Sequence, residues 1–434
     1  MSGARSTPVR ALVFVAAACL MGGAMFAAAE AQPPAKWVGS WASSQQIPEP
    51  SNALAPDDLR DATLRQIVHL TIGGKEVRVR LSNAFGTEPL HITSAHLARP
   101  LSPSTGSVDV STDKALAFSG SPDVTIPAGA EYISDPVAFP VAAISNLAIS
   151  LFIETPPVQQ TSHPGSRQTS FLVHGNQVSS VDLLNAKQVD HWYLISGVDV
   201  AASPQAASIV ILGDSITDGR GSTTNGNDRW PDNLARRLQA SPATQMLSVL
   251  NAGIGGNRLL LDVKGPNALA RFDRDVLAQA GVRSLIVLEG INDLGTLTAD
   301  HEVSAEEHPS LVRRMIGAYE QIVMRARARG IKVIGTTITP NMDNAGYHPT
   351  PTNEADRQAV NAWIRTPGHF DALVDFDKIV RDPARPDHLL AAYDSGDHLH
   401  PSPAGYRAMA DAVPLSFFSH APKPAPKAKR SKAR

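Results

Sequence analysis

Four short segments in the second half of this chain carry residue types suited to ester or phosphate chemistry. Gly213-Asp214-Ser215-Ile216-Thr217 places a serine just after the apolar run 208–212. A hydroxyl at the carboxyl end of a strand projects into the crevice where open parallel sheets bind ligands. Asn251-Ala252-Gly253-Ile254-Gly255-Gly256-Asn257 holds three glycines within four residues. Such a loop presents backbone N–H groups to an oxyanion or a phosphate. The phosphate alternative lacks its partners, because no Lys-Ser/Thr follows and the glycines do not follow the first strand. Glu289-Gly290-Ile291-Asn292-Asp293 adds an amide that can donate into the same crevice. In Asp394-Ser395-Gly396-Asp397-His398-Leu399-His400-Pro401 a histidine follows an aspartate by three residues. A carboxylate so placed orients an imidazole and leaves its other nitrogen free as a base. A metal reading would use His398, His400 and an Asp, but a third strong ligand is not evident nearby. Each segment also has a plain reading, Ser215 as a helix cap and Asn292 as a turn residue.

The elements that must position these groups fall into two halves. From Trp37 to about Val200 the chain alternates apolar and polar residues, as in 64–70 and 76–82, with Gly73-Gly74 between them as a hairpin signal. Further strands are expected at 90–97, 147–153 and 169–174, and no long helical stripe intervenes. This half, 37–200, reads as an all-β sandwich of jelly-roll type. After about Ala202 the apolar runs become continuous, at 208–212, 246–250, 284–288, 332–338 and 372–376. Continuous runs suit parallel strands covered on both faces. Helical segments lie between them, the clearest at 311–329 with a stop at Gly330. The half 205–420 therefore reads as α/β, a doubly wound, flavodoxin-like parallel sheet.

Composition limits what else the chain can be. It has 434 residues, 43% hydrophobic and 18% charged, with a formal net charge of −2. These values exclude a collagen-like or fully disordered chain and give no overall attraction to nucleic acid. The single cysteine, Cys19, excludes a disulfide framework within one chain. Arg5 and Arg10 precede an apolar run from Ala11 to Ala29, and Ala29-Glu30-Ala31 offers a peptidase site. Residues 1–31 read as a secretory signal, so the protein is expected to be exported, periplasmic or extracellular. An uncleaved anchor is the rival reading. The segment 421–434 carries six Lys and Arg among Ala and Pro. It reads as a solvated, disordered basic tail suited at most to weak contact with an anionic surface.

Taken together, GDSIT at 213–217, NAGIGGN at 251–257, GIND at 290–293 and DHLHP at 397–401 resemble the SGNH hydrolases, also called the GDSL esterase/lipase family. The resemblance covers about 207–415. It implies Ser215 as nucleophile, with Asp397 and His400 completing a triad. It implies an oxyanion hole of Ser215, Gly256 and Asn292, with Gly256 chosen because it lies five residues after Asn251. No metal or organic cofactor is implied. The whole chain looks like a bacterial branch with a β-rich amino-terminal domain. The resulting expectation is an exported serine esterase removing short acyl groups, acetyl first, from carbohydrate or a small ester. A broad arylesterase or lipase is the alternative enzyme, and a non-catalytic carbohydrate-binding protein the alternative of another class. Trp230, Asn257 and Arg258 are expected to bind substrate, Trp230 by stacking on a sugar and Arg258 through an anionic group. His191 and Trp192 read as ordinary strand residues.

Overall fold

The structure, a computed structural model, describes residues 36–299 and 303–419, so the expected signal and basic tail lie outside it. The continuous apolar runs form five parallel strands, Ala207–Gly213, Leu247–Gly253, Val282–Leu288, Lys332–Thr336 and Ala372–Val374. Their spatial order is second, first, third, fourth, fifth, the flavodoxin-like order. The chain runs to one side after the first strand and returns to the other for the third. The first and third strand ends therefore flank a switch point, where a crevice opens at the carboxyl edge. Helix Trp230–Gln239 packs with Pro403–Ala412, and Glu307–Arg327 packs with Pro351–Arg365. In Glu307–Arg327 the buried face is Leu311, Met315, Tyr319, Ile322, Val323 and Ala326, the spacing of one helical stripe.

The first half is a sandwich of two antiparallel sheets. One contains Lys36–Ala42, Ile195–Ala202, Gly74–Ser82 and Glu131–Ile133, with Val137–Val141 also on Gly74–Ser82. The other orders Lys187–Val189, Ser170–His174, Ala62–Leu70, Ser145–Ile153, Ser94–Pro100 and Val108–Ala115. Val77, Val79, Leu81 and Val198 from the first share one core with Leu64, Val68, Ile149 and Leu151 from the second. The hairpin expected around Gly73-Gly74 is absent. Ala62–Leu70 pairs with Ser145–Ile153 and Ser170–His174, while Gly74–Ser82 pairs in the opposite sheet. The two glycines instead carry the chain between sheets, where a Cβ on Gly73 would meet Val141 O at 2.7 Å. Alternation also misleads on exposure in Ala62–Leu70. Its polar Arg65 is fully buried, donating to Ser150 Oγ (2.8 Å) and to carbonyls of Gly106 (2.6 Å) and Ser180 (2.8 Å). A covering loop, rather than water, satisfies that face, and burial lowers the Arg65 guanidinium to about 10.

The halves meet along strand Lys36–Ala42, which packs on Leu247–Gly253. Thr71 sits at this junction. Its hydroxyl donates to Ser40 O (2.7 Å) and accepts from Val249 N (3.0 Å). Among the described residues no helix is long and apolar enough to cross a membrane. Thr71→Val keeps the shape but leaves the buried Val249 N–H without its acceptor, while Ser40 O keeps the backbone N–H of residue 71. It should lower unfolding stability by roughly 1–3 kcal/mol, read from the urea midpoint at unchanged m-value.

Candidate active site

The first parallel strand ends at Gly213, and Ser215 opens a one-turn helix, Ser215–Asp218. Asp214 caps it, accepting from Ile216 N at 2.8 Å. Ser215 Oγ lies 2.7 Å from His400 Nε2, although 185 residues separate them. His400 Nδ1 lies 2.6 Å from Asp397 Oδ2. The other oxygen of Asp397 accepts from the backbone N–H of His400 (2.8 Å) and Leu399 (3.1 Å). Burial opposes charge on Asp397, but the His400 ring and these N–H groups hold its carboxyl well below the usual range. The neighbouring pair is separate: His398 Nδ1 lies 2.7 Å from Asp394 Oδ2 and faces out. No group of three or more His, Cys, Asp or Glu among the described residues is placed to hold a metal ion.

The glycine loop leaves the neighbouring strand, and Gly255, Gly256 and Asn292 line the same crevice as Ser215 and His400. Gly256 has φ 76°, a left-handed conformation that glycine adopts at low cost. Asn292 Nδ2 donates to Asn257 O at 2.7 Å, and its Oδ1 accepts from Tyr347 OH at 2.5 Å. These bonds fix the amide orientation and leave one Nδ2 hydrogen for the crevice. Burial pushes the Tyr347 phenol up to about 12, so it remains a donor. Beneath the loop lies Arg271. It donates to Asn257 Oδ1 (2.9 Å), Ala252 O (2.7 Å) and Gly213 O (3.0 Å).

Motif reading missed the opposite wall, which comes from the antiparallel half. His163 Nε2 lies 2.9 Å from Asp218 Oδ1, and its Nδ1 lies 2.7 Å from Ser44 O. A Cβ at Gly165 would collide with the Asp218 carboxylate, so the 163–165 turn sits directly on the helix that begins with Ser215. Gln46, Glu49 and Arg167 also line the crevice, which encloses about 380 Å³. His191 lines it too, with Nδ1 2.6 Å from Pro164 O, rather than acting as an ordinary strand residue. Nothing in the local sequence marks these residues or Tyr347, because each acts through a contact between distant segments.

The three expected substrate contacts are not at the crevice surface. Trp230 is 0% exposed and packs edge-on against Phe376 at 5.3 Å, since it begins a helix with its apolar face inward. It cannot stack on a sugar. Asn257 is buried and holds the loop, donating to Lys264 O and Pro266 O, both at 2.9 Å. Arg258 is spent on Asp262 O (2.5 Å) and Thr296 Oγ1 (3.3 Å).

Residues 211–408 match the GDSL-like lipase/acylhydrolase family, which makes this segment a domain of that family. It is a carboxylic ester hydrolase of that family. No curated protein matches the chain. Among solved structures, a GDSL-like lipase from Bacteroides thetaiotaomicron is 19% identical, over 50% of this chain and 90% of its own, at a TM-score of 0.36. An acetyl xylan esterase is 19% identical over 47% of this chain and 96% of its own, at 0.35. A catalytic mutant of an acetylxylan esterase from Geobacillus stearothermophilus is 21% identical, over 48% and 94%, at 0.36.

A buried carboxylate lies under the site. Neither oxygen of Glu289 has a hydrogen-bond partner, and Arg271 Nη2 is 3.9 Å away with its donors engaged elsewhere. Burial, then repulsion from Asp214, raises the Glu289 carboxyl well above its ordinary value. Asp214 is pushed up to about 7, again by burial first, although Ile216 N–H opposes this. Glu289 has no hydrogen-bond donor to favour its charged form, so nothing offsets the upward push of burial there but the distant Arg271. A raised folded-state value means the native state binds more protons than the unfolded chain, so stability falls as pH rises above the unfolded value. Glu289→Gln removes that dependence. The gain in Tm of the variant over the parent should be larger at about pH 8 than at about pH 5.

Proposed function

We propose that this protein is an exported serine esterase that hydrolyses short acyl esters, acetyl first, on carbohydrate. The observation carrying this reading is the continuous chain from Ser215 Oγ through His400 to Asp397, at 2.7 and 2.6 Å, opening on a crevice lined mainly by polar side chains. Pro164 and Leu399 are the few apolar linings. A long acyl chain would find little apolar surface to bury there, whereas a sugar would find donors and acceptors. Export rests on Arg5 and Arg10 before the apolar run 11–29 and on Ala29-Glu30-Ala31.

In this reading Ser215 Oγ attacks the ester carbonyl as its proton passes to His400 Nε2. Asp397 fixes the ring and stabilises the imidazolium. Negative charge on the carbonyl oxygen is met by the N–H groups of Ser215 and Gly256 and by Asn292 Nδ2. His400 then protonates the departing alkoxide, leaving an acyl group on Ser215. Water attacks that acyl group by the same proton route and releases the acid.

Ser215→Ala should lower kcat on 4-nitrophenyl acetate by about 10⁴ or more, with an unchanged circular dichroism spectrum. Asn292→Ala should cost about 10²–10³ in kcat. Retained turnover in Ser215→Ala refutes the nucleophile assignment. Rates on aryl esters should fall from acetate to octanoate, and acetate should be released from acetylated polysaccharides. A preference for octanoate would remove the short-acyl reading.

A further inference from the structure

We propose that the crevice contains a subsite for a carboxylate on the substrate, centred on Arg167 and closed by Arg220. This deepens the ester-hydrolase reading and rests on it, because the subsite opens on the same crevice as Ser215.

Arg167 is a non-glycine residue in left-handed backbone, φ 49°. Such a conformation costs free energy and persists only where the surroundings over-determine it. Here they do. Asn225 N donates to Arg167 O at 2.9 Å, and Asn225 Oδ1 accepts from Thr169 N at 2.9 Å. The Arg229 guanidinium donates to Ser166 O, and Ser166 Oγ bonds to Gln168 O at 2.7 Å. All this bonding fixes the backbone on either side of Arg167 and none of it uses the Arg167 side chain. Its Nε is buried without a partner, and no ion pair with a described residue occupies its guanidinium. A buried guanidinium nitrogen left unpaired is costly unless a ligand meets it.

The acidic groups facing the crevice are already engaged. Glu49 holds Lys264 Nζ at 2.9 Å and Asn52 Nδ2 at 2.6 Å. Asp218 holds His163, and Asp397 holds His400. Arg220 also lines the crevice, is 62% exposed, and among the described residues pairs with the Asp397 carboxylate at 3.8 Å, beyond hydrogen-bond reach. Its backbone is fixed by Tyr406 OH on Arg220 O at 2.5 Å, so its side chain is the movable part. Two arginines thus face a polar crevice with unused donors. The planar fork of arginine matches a carboxylate in two parallel hydrogen bonds, which suits an acylated uronic acid or another carboxylated ester.

The test compares matched pairs that differ only in charge. Acetylated methyl glucuronide is set against its uronamide, and 3-acetoxybenzoate against 3-acetoxybenzamide. In the parent protein kcat/KM for the carboxylate should exceed that for the amide by about tenfold, and the ratio should shrink with added salt. In Arg167→Ala the ratio should fall to near one. In Arg167→Lys, which keeps charge without the fork, it should be intermediate. Because each ratio is taken within one variant, it is independent of the fraction folded. A ratio near one in the parent, or one unchanged in Arg167→Ala, overturns the subsite. If neither sugar is cleaved, the benzoate pair decides by the same ratios, and the carbohydrate reading fails separately. If the sugars are cleaved at equal rates, the carbohydrate reading stands and the subsite falls.

Discussion

The fully buried Arg271 guanidinium is the interaction on which most of the site depends. Its donors reach the end of the first strand at Gly213 O, the second strand at Ala252 O, the glycine loop at Asn257 Oδ1 and the antiparallel half at Ser44 Oγ. It also holds Asp275 at 3.0 Å, which offsets burying its charge. One rigid cation therefore sets the spacing between the serine turn and the loop that carries Gly256. Each of these buried oxygens thereby gains a charged donor, Gly213 O in addition to the Ile254 N–H it already accepts. The arrangement leaves Glu289 nearby with no donor to spare, and burial raises that carboxyl well above its ordinary value.

From that anchor the chemistry follows by topology. Strand order second, first, third puts the ends of Ala207–Gly213 and Val282–Leu288 side by side. Ser215 and Asn292 follow those ends directly. The Asp397–His400 turn arrives just before the last helix. Its geometry is local, since one Asp397 oxygen takes two backbone N–H groups and the other takes the imidazole. Only the final approach of His400 to Ser215 needs the whole sheet.

The antiparallel half supplies a wall of the crevice as well as a packing partner. His163 reaches Asp218, three residues after the serine, and Gly165 lies so close that no side chain fits there. About half of the polar lining of the crevice comes from this half, Gln46, Glu49 and Arg167 among it. A bare α/β domain with the same four motifs would lack that wall. The crevice in this chain is therefore bounded in part by residues far from the motifs in sequence.

The α/β half and the four segments that converge are legible in the sequence, while the strand order is seen only in the folded sheet. Each of those signals is local: a continuous apolar run, a glycine cluster, an aspartate three residues before a histidine. The switch from alternating to continuous runs likewise marked where antiparallel strands give way to parallel ones, between Ala202 and Ala207. Tertiary structure decided what period and spacing cannot encode. Alternation in 62–70 and 76–82 shows two faces but not which sheet each strand joins, so the hairpin reading failed. Trp230, Asn257 and Arg258 neighbour the motifs in sequence, yet their side chains turn inward, because helix phase and loop bonding set direction rather than proximity along the chain. His163, Arg167 and Tyr347 reach the crevice from segments that have no motif. Their placement is set by how the two halves pack and, for Tyr347, by its bond to Asn292 from a distant loop, and both are long-range.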